Sequence, residues 1–388
     1  MRWVVRALTE TQFISNLAGV SLEPPPPPGL LVLGGKSTKE HLSSVESLGF
    51  EKCTLPSLPE ERYSFGSFIT PTEPEQLAAC GGWWAGKPNS SDCLTLNITS
   101  GQWERGAFAN GLLGDDVQGV INMGRQGVFM IHSVGMSVLA PDAESWLAGL
   151  VFATPAVCAC NISRTNFVTI HSNSSKNVRG YHVTNNEVEP EPIDVWPSLS
   201  IARQGPACGA TSRNLVVAGG VSDWDEVLTS VEVIHIATKA KRMGGNLQQA
   251  RAFFQIIPVG SAHPRLLAIG GQGASHRMDT SEWWDEDEDS WEVGPPLATG
   301  RSNFAALMAP PRLVCLEMDP PDHSCPAEDQ ICTLSSARPG QYQTNPMPMK
   351  LDIDILQSIQ ILARKKTFLF TVRVRKILSC HQKCFVGH

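Results

Sequence analysis

Aromatic and charged side chains follow three double glycines of this sequence, and residues of these types are suited to binding another molecule. Tryptophan and arginine concentrate binding energy at protein interfaces, because they combine a large contact area with hydrogen-bond donors. The residues are Trp83 and Trp84 after Gly82, Asp223, Trp224 and Asp225 after Gly220, and His276 with Arg277 after Gly271. We predict that they form a partner-binding surface. The alternative is that the tryptophans only cover neighbouring strands.

The cysteines offer redox or metal chemistry. Cys80 immediately precedes a double glycine and Cys93 begins the next apolar segment, so we expect a disulfide across a hairpin, with reduced buried thiols as the alternative. Cys380, Cys384 and His388 are spaced loosely like metal ligands. A closed zinc centre needs four ligands, normally from two close pairs, and no such set is present. We therefore expect no metal and no cofactor.

One short motif suggests nucleotide chemistry. Gly34, Gly35, Lys36 and Ser37 are similar to the end of a phosphate-binding loop, whose backbone amides surround a phosphate. Leu30 stands where the first glycine of that loop is required. The chain also has no Gly-x-Ser-x-Gly nucleophile elbow. These observations do not favour a nucleotide site or a hydrolase of that type.

The charge distribution limits the class of partner. The 388 residues carry a formal charge of -7, but residues 351–388 hold seven Lys or Arg against two Asp, so the remaining 350 residues carry -12. Phosphate neutralisation requires a basic face, so we expect no nucleic-acid partner. No run of residues approaches the 18 or more apolar residues of a membrane span. We predict a protein or peptide partner.

Four Asn-x-Ser/Thr sequons favour an extracellular location and N-glycosylation. They begin at Asn89, Asn97, Asn161 and Asn173. The opening "MRWVVRAL" has a positive residue and a short apolar stretch, but polar residues interrupt it before the apolar core of a signal peptide develops. The location therefore stays open between extracellular and cytoplasmic.

The elements that position these residues are repeated strands. The 33 Gly and 28 Pro indicate many short elements joined by turns, as in all-β proteins. An apolar strand that ends in two glycines recurs as "LLVLGG", "LAACGG", "LVVAGG" and "LLAIGG", and degenerate copies read "GVFMIHSVG" and "NFVTIHS". The units start near residues 30, 76, 127, 166, 214 and 265. Tryptophans follow at 103, 146, 196 and 291, and arginines at 62, 203, 251 and 301.

These residues resemble the kelch repeat, whose blades are four-stranded sheets of roughly 50 residues arranged around a central axis. The resemblance implies an all-β, kelch-type propeller of about six four-stranded blades over residues 28–310. We expect Ser302–Met308 to complete the first blade and so remove an open sheet edge. A seventh blade that uses Arg312–Met318 is the alternative.

Three segments lie outside the predicted propeller. Residues 1–27 form an N-terminal extension with a polyproline linker, a run that begins at Pro24 and continues to Pro28 at the start of the propeller segment. Residues 311–350 form a Pro-rich connector, and residues 351–388 a basic C-terminal tail. The five acids from Asp285 to Asp289 are interpreted as a solvated turn between outer strands, with calcium or a basic peptide as the alternative ligand.

The resemblance implies that partners dock on the loops after the double glycines, at one mouth of the central channel. We therefore predict a non-enzymatic protein- or peptide-binding propeller. The alternative is an enzyme on the same scaffold, either a hydrolase or a copper-dependent oxidase similar to galactose oxidase. The oxidase would require Tyr63 and Tyr181 to meet at the axis with ligands such as His132 or His171.

Overall fold

The computed structural model describes residues 29–48, 55–71, 75–84, 92–97, 100–105, 116–141, 143–171, 176–192, 194–260 and 264–310. The predicted extension 1–27, connector 311–350 and tail 351–388 lie outside these ranges. Over the described residues the chain is all-β, with one 3-10 turn at Gly124–Gln126. No helix in these ranges is long and apolar enough to cross a membrane.

Six blades surround one axis. Blade 1 contains β1 (Leu30–Leu33), β2 (Val45–Leu48) and β25 (Ala305–Met308); blade 2 contains β4 (Gly66–Ile69), β5 (Leu77–Cys80), β7 (Cys93–Asn97) and β8 (Gln102–Arg105); blade 3 contains β9 (Val117–Asn122), β10 (Val128–His132), β11 (Gly135–Leu139) and β12 (Leu147–Val151). A short ribbon pairs β3 (Arg62–Tyr63) with β6 (Trp83–Trp84).

The second half of the chain repeats the same antiparallel sheet. Blade 4 contains β13 (Ala156–Asn161), β14 (Asn166–His171), β15 (Val178–Thr184) and β16 (Glu187–Pro190); blade 5 contains β17 (Ala207–Ala210), β18 (Asn214–Ala218), β19 (Val231–His235) and β20 (Lys241–Met243); blade 6 contains β21 (Gln255–Val259), β22 (Arg265–Ile269), β23 (Ser281–Asp285) and β24 (Ser290–Val293). Blades 2 to 6 are four-stranded, and blade 1 has three strands within the described residues.

The innermost strands form a closed ring. β4, β9, β13, β17, β21 and β25 each contact the next innermost strand, and β25 contacts β4. β25 pairs with β1 in register Leu30↔Met308 to Leu33↔Ala305, so the end of the described chain completes the first blade. The sequence-based predictions of six blades and of this closure are confirmed. The predicted repeat starts coincide with the second strand of each blade.

Hydrophobic contacts between neighbouring sheets form the core. One cluster joins blades 5 and 6 and contains Val216, Val233, Leu266 and Trp284, all almost completely buried. Trp291 is also buried there, and its indole N–H donates to the carbonyl of Gly245, 3.0 Å away. The repeated indoles thus fill the space between sheets, where truncation of a large aromatic side chain costs about 3–5 kcal/mol.

A buried arginine clamp fastens consecutive blades at four junctions. Arg251 shows the pattern: its guanidinium donates to the carbonyls of Gly270 and Thr280 of blade 6 and pairs with the buried carboxylate of Glu282. The equivalent pairs are Arg62 with Asp92, Arg203 with Glu232, and Arg301 with Glu46. Each of these arginines also donates to the carbonyl of the first glycine of a double glycine.

Candidate functional site

The ring of innermost strands encloses a central cavity of about 820 Å³. Small residues bring these strands close together. A Cβ atom on Gly209 of β17 would lie 2.5 Å from Ile256 of β21, and one on Gly66 of β4 would lie 2.6 Å from Val120 of β9. Only glycine fits at such distances, so these glycines let the innermost strands pack closely around the central cavity.

One mouth of the cavity has a rim of repeated backbone turns. The residue two positions after each clamp arginine has a positive φ: Ser64, Gly205, Phe253 and Asn303. The amide of Phe253 donates to the carbonyl of Gly205, that of Asn303 to Phe253, and that of Ser64 to Asn303, over 2.7 to 3.0 Å. These bonds link neighbouring blades, so the rim is fixed by the same segments that carry the clamps.

A mouth cluster of five residues lies beside this rim and lines the cavity: Lys36, Tyr63, Trp83, Asp116 and Arg277. The Lys36 Nζ atom lies 3.7 Å from the centre of the Tyr63 ring, and the Tyr63 and Trp83 rings are stacked with centres 6.3 Å apart. The indole N–H of Trp83 donates to Asp116 over 2.9 Å. The cluster therefore brings together two aromatic rings, two cations and one carboxylate.

The electrostatics of the mouth cluster reflect its partial burial. Burial lowers the pKa of Lys36, nearby Arg277 lowers it further, and Asp116 raises it. The pKa of Tyr63 is raised, first by burial and then by the negative charge of Asp116. Within the described ranges, no carboxylate lies within 4.0 Å of Lys36 Nζ or of the Arg277 guanidinium.

The predicted partner-binding residues are only partly brought together. Trp83 and Arg277 belong to the mouth cluster. The backbone of Trp84 pairs with Arg62, and its side chain lies outside the described part of the structure. His276 is exposed next to Arg277 and does not line the cavity.

The acidic loop of blade 5 stands outside the cavity. Asp223, Trp224 and Asp225 are exposed on the turn after Gly220, and Trp224 is 86% exposed. The hydroxyl of Ser222 accepts the backbone N–H of Trp224, which fixes the turn. These three residues flank the opening rather than line it.

Three members of the mouth cluster were missing from the predicted partner-binding residues. Lys36 directly follows Gly34 and Gly35, the same position that Trp83 occupies after its double glycine, so the repeat itself contained this signal. Tyr63 directly follows a clamp arginine. Asp116 precedes β9, in a unit whose copy of the repeat is degenerate, and no sequence pattern marks it.

No family model matches this chain, and no curated protein matches it. Among solved structures, the chain is similar to the one entitled "Structure of YjhT", with a TM-score of 0.52 and 14% sequence identity over 71% of this chain and 99% of that one. At this level of identity the similarity shows the fold, a six-bladed β-propeller, and nothing about the ligand.

The oxidase alternative requires residues that the fold keeps apart. Tyr63 lines the cavity, whereas Tyr181 is buried in blade 4 and its ring stacks on Phe167 with centres 4.8 Å apart. His132 and His171 occupy the place of the first glycine in the two degenerate repeats, and each is buried against a hydroxyl group of its own blade. Among the described residues no group of three His, Cys, Asp or Glu is arranged to hold a metal ion.

A cluster of three thiols lies beside the cavity, and two of them, Cys160 and Cys208, line it. The thiol cluster comprises Cys158 and Cys160 on β13 and Cys208 on the neighbouring β17. Burial raises the pKa of Cys158, the hydrogen bond with Cys208 and burial raise that of Cys160 well above 9.0, and burial raises that of Cys208 well above 9.0. These thiols therefore stay protonated and weakly nucleophilic near neutral pH.

Cys80 and Cys93 are cross-strand partners in blade 2, and a disulfide joins them. Both cysteines are completely buried, and the indole N–H of Trp146 in blade 3 lies 3.4 Å from the Cys93 sulfur. The disulfide therefore lies between two blades, and its two cysteines do not line the cavity.

The remaining sequence signals fall at the surface or outside the described ranges. Asn161 is exposed at the end of β13, and the Asn97 side chain donates to Glu104 over 2.7 Å. Asn89, Asn173, Cys380, Cys384 and His388 lie outside the described residues.

The acidic run after β23 has partners of its own. Glu286 pairs with Arg213 of blade 5 at 2.9 Å and accepts hydrogen bonds from Thr211 and Asn214. Asp289 pairs with Arg242. The predicted position between the outer strands of the last blade is correct, but part of the run fastens blade 6 to blade 5 rather than standing free in solvent.

Proposed function

We propose that this chain is a kelch-type propeller that binds a segment of another protein at the mouth bearing the double-glycine loops, without catalysing a reaction. The mouth cluster supports the proposal: aromatic faces and two cations without ion-pair partners among the described residues gather where a cavity of about 820 Å³ opens. Recognition sites are usually concave and combine apolar walls with a few placed polar groups.

The surface around the opening favours a peptide segment over a small molecule. Trp224 is 86% exposed and Phe253 is 36% exposed, and both stand on loops around the mouth. Exposed large aromatic side chains are typical of interaction sites, since they lose contact with water when a partner covers them. A ligand that fills the cavity alone would leave Trp224 uncovered, whereas an extended segment can cover it as well.

Selection from a library of random 12-residue peptides displayed on phage tests this function. We expect enriched peptides whose affinity, measured by fluorescence anisotropy, falls at least tenfold for a variant that combines Trp224→Ala with Arg277→Gln. The matched control is Trp283→Ala, because Trp283 lies on β23 and is contacted by Arg265, away from the mouth. Enriched peptides that bind the mouth variant and the wild-type protein equally well would contradict the proposal.

A further inference from the structure

Two cations of the mouth cluster have N–H donors without an acceptor among the described residues. The Arg277 Nε–H donates to Ser302 Oγ over 2.8 Å, which fixes the guanidinium at the cavity. Within the described part of the chain its two terminal amino groups have no hydrogen-bond acceptor. Lys36 Nζ contacts the face of the Tyr63 ring and donates no hydrogen bond to a described residue. Five N–H donors in these two groups therefore remain available to a ligand, counting two on each terminal amino group and at least one on the ammonium.

The clamp arginines of the propeller are neutralised differently. Each of the four clamp arginines pairs with a carboxylate of the adjoining blade. Arg277 and Lys36 instead lie near each other, with like charges that repel. Asp116 is the acidic residue of the mouth cluster, and it accepts the indole N–H of Trp83 rather than pairing with either cation within 4.0 Å. The cluster thus carries two positive charges and one negative charge.

We propose that one aspartate or glutamate side chain of the bound segment enters the mouth, where Lys36 and the terminal amino groups of Arg277 donate to its carboxylate. Planar guanidinium groups bind carboxylates with two parallel hydrogen bonds, and the ammonium of Lys36 provides a third donor. The inference rests on the proposed function, because it names the chemistry that the bound segment must carry.

Charge complementarity favours a carboxylate over a phosphate. One negative charge balances the mouth cluster, which has a net charge of +1. A phosphoserine carries about -1.5 to -2 at neutral pH and would meet Asp116 inside the mouth and the acidic loop of blade 5 outside it. The described acidic residues of that loop are Asp223, Asp225 and Glu226.

Synthetic peptides test the inference with the full-length protein. The probe is the peptide most enriched by the display selection, prepared with its acidic residue intact, replaced by glutamine, or replaced by phosphoserine. We expect the glutamine peptide to bind the wild-type protein about 10- to 100-fold more weakly, as is typical of a hydrogen bond to a charged group. The variants Lys36→Gln and Arg277→Gln should each weaken the acidic peptide to a similar extent and leave the glutamine peptide almost unaffected.

Two matched variants separate a role in binding from a role in folding. Lys239→Gln is the control, since Lys239 makes the same contact with an aromatic face, 3.4 Å from the Trp196 ring centre, but does not line the cavity. Its affinity for the acidic peptide should equal that of the wild-type protein. Lys36→Arg keeps the charge and should retain most of the affinity, whether or not Lys36→Gln alters folding.

The outcomes distinguish the inference from the function on which it rests. Mouth-dependent peptides that share no acidic position would overturn the inference and leave the binding function intact. Tighter binding of the phosphoserine peptide than of the carboxylate peptide would also overturn it. Peptides that bind the variant with Trp224→Ala and Arg277→Gln as tightly as the wild-type protein would instead contradict the proposed function itself.

Discussion

Replacement of Arg251 by methionine tests whether the buried arginine clamps hold the propeller together. Arg251 is completely buried, and the side chain of its partner Glu282 is 3% exposed. Methionine fills a similar volume without donors. The carboxylate of Glu282 would keep its hydrogen bonds from the backbone N–H groups of Gln248 and Gln249 but would lose the positive charge that neutralises it.

The expected cost follows from that uncompensated charge. Removal of one partner of a buried ion pair destabilises a protein by about 3–5 kcal/mol. The carbonyls of Gly270 and Thr280, which accept from Arg251 at 2.8 and 3.0 Å, would also lose a donor. At roughly 2 °C per kcal/mol for a domain of this size, we expect the melting temperature to fall by about 6–10 °C. Burial lowers the pKa of Arg251, which indicates that the guanidinium is desolvated and depends on its partner.

Thermal unfolding followed by circular dichroism measures the change, with Arg265→Met as the control. Arg265 pairs with Glu292 at 3.5 Å, but both side chains are more than a third exposed, so loss of this pair should cost about 0–1 kcal/mol. The double variant that adds Glu282→Gln to Arg251→Met removes the unpaired charge and should recover part of the lost stability. An Arg251→Met protein that melts within 2 °C of the Arg265→Met protein would refute the reasoning.

Three further predictions concern backbone strain, thiol reactivity and acid stability. Gly219→Ala should lower the free energy of unfolding at least twice as much as Gly124→Ala, as measured by urea unfolding. Both glycines have positive φ, so both substitutions strain the backbone. A Cβ on Gly219 would in addition lie 2.3 Å from the carbonyl oxygen of Arg251, whereas a Cβ on Gly124 would have open space. The thiol cluster should resist alkylation at pH 8 in the native protein and react fully in denaturant, as measured by mass spectrometry, since the raised pKa values keep the thiols protonated. Burial lowers the pKa of His171 below its ordinary 6.5, so the unfolded chain binds the additional proton and stability should fall as the pH drops below 6.5; His171→Gln should flatten that slope in a series of melting temperatures against pH.

The repeat made most of the fold predictable from the sequence. An apolar strand in a sheet that lies between two other sheets buries both of its faces. The two glycines that follow it adopt positive φ, which glycine does most readily. Sequences such as "LLVLGG" therefore mark the same strand in each blade where they occur. The degenerate copies around His132 and His171 were recognisable because the apolar strand persisted where the glycines did not. The partner of each clamp arginine was not predictable, because the carboxylate lies about 30 residues away in three cases and, for Arg301, near the beginning of the described sequence at Glu46.

The site was less predictable than the fold, since it depends on how different blades meet. Trp83 and Arg277 were identified because they follow double glycines, but the sequence does not show that blade 6 and blade 2 reach the same mouth on either side of blade 1. The exposed loop with Trp224 has the same position in its repeat, yet its residues do not line the cavity. Asp116 joins the cluster through a hydrogen bond from the indole of Trp83, a contact between two blades that no sequence pattern marks.

The clamps and the mouth cluster are built from adjacent residues, so stability and binding are coupled at this end of the propeller. Arg301 donates to the carbonyl of Gly34 over 2.8 Å, and the amide of Lys36 donates to the carbonyl of Ser302 over 2.8 Å. The backbone that carries Lys36 is therefore held by the Arg301 clamp at Gly34 and by Ser302 at its own amide. The hydroxyl of the same Ser302 accepts the hydrogen bond from Arg277. Because Lys36 and Arg277 repel each other, they stay close together only if the segments that carry them are held in place. The rigid junction between blades 6 and 1 is thus the physical condition for holding both cations ready for a carboxylate.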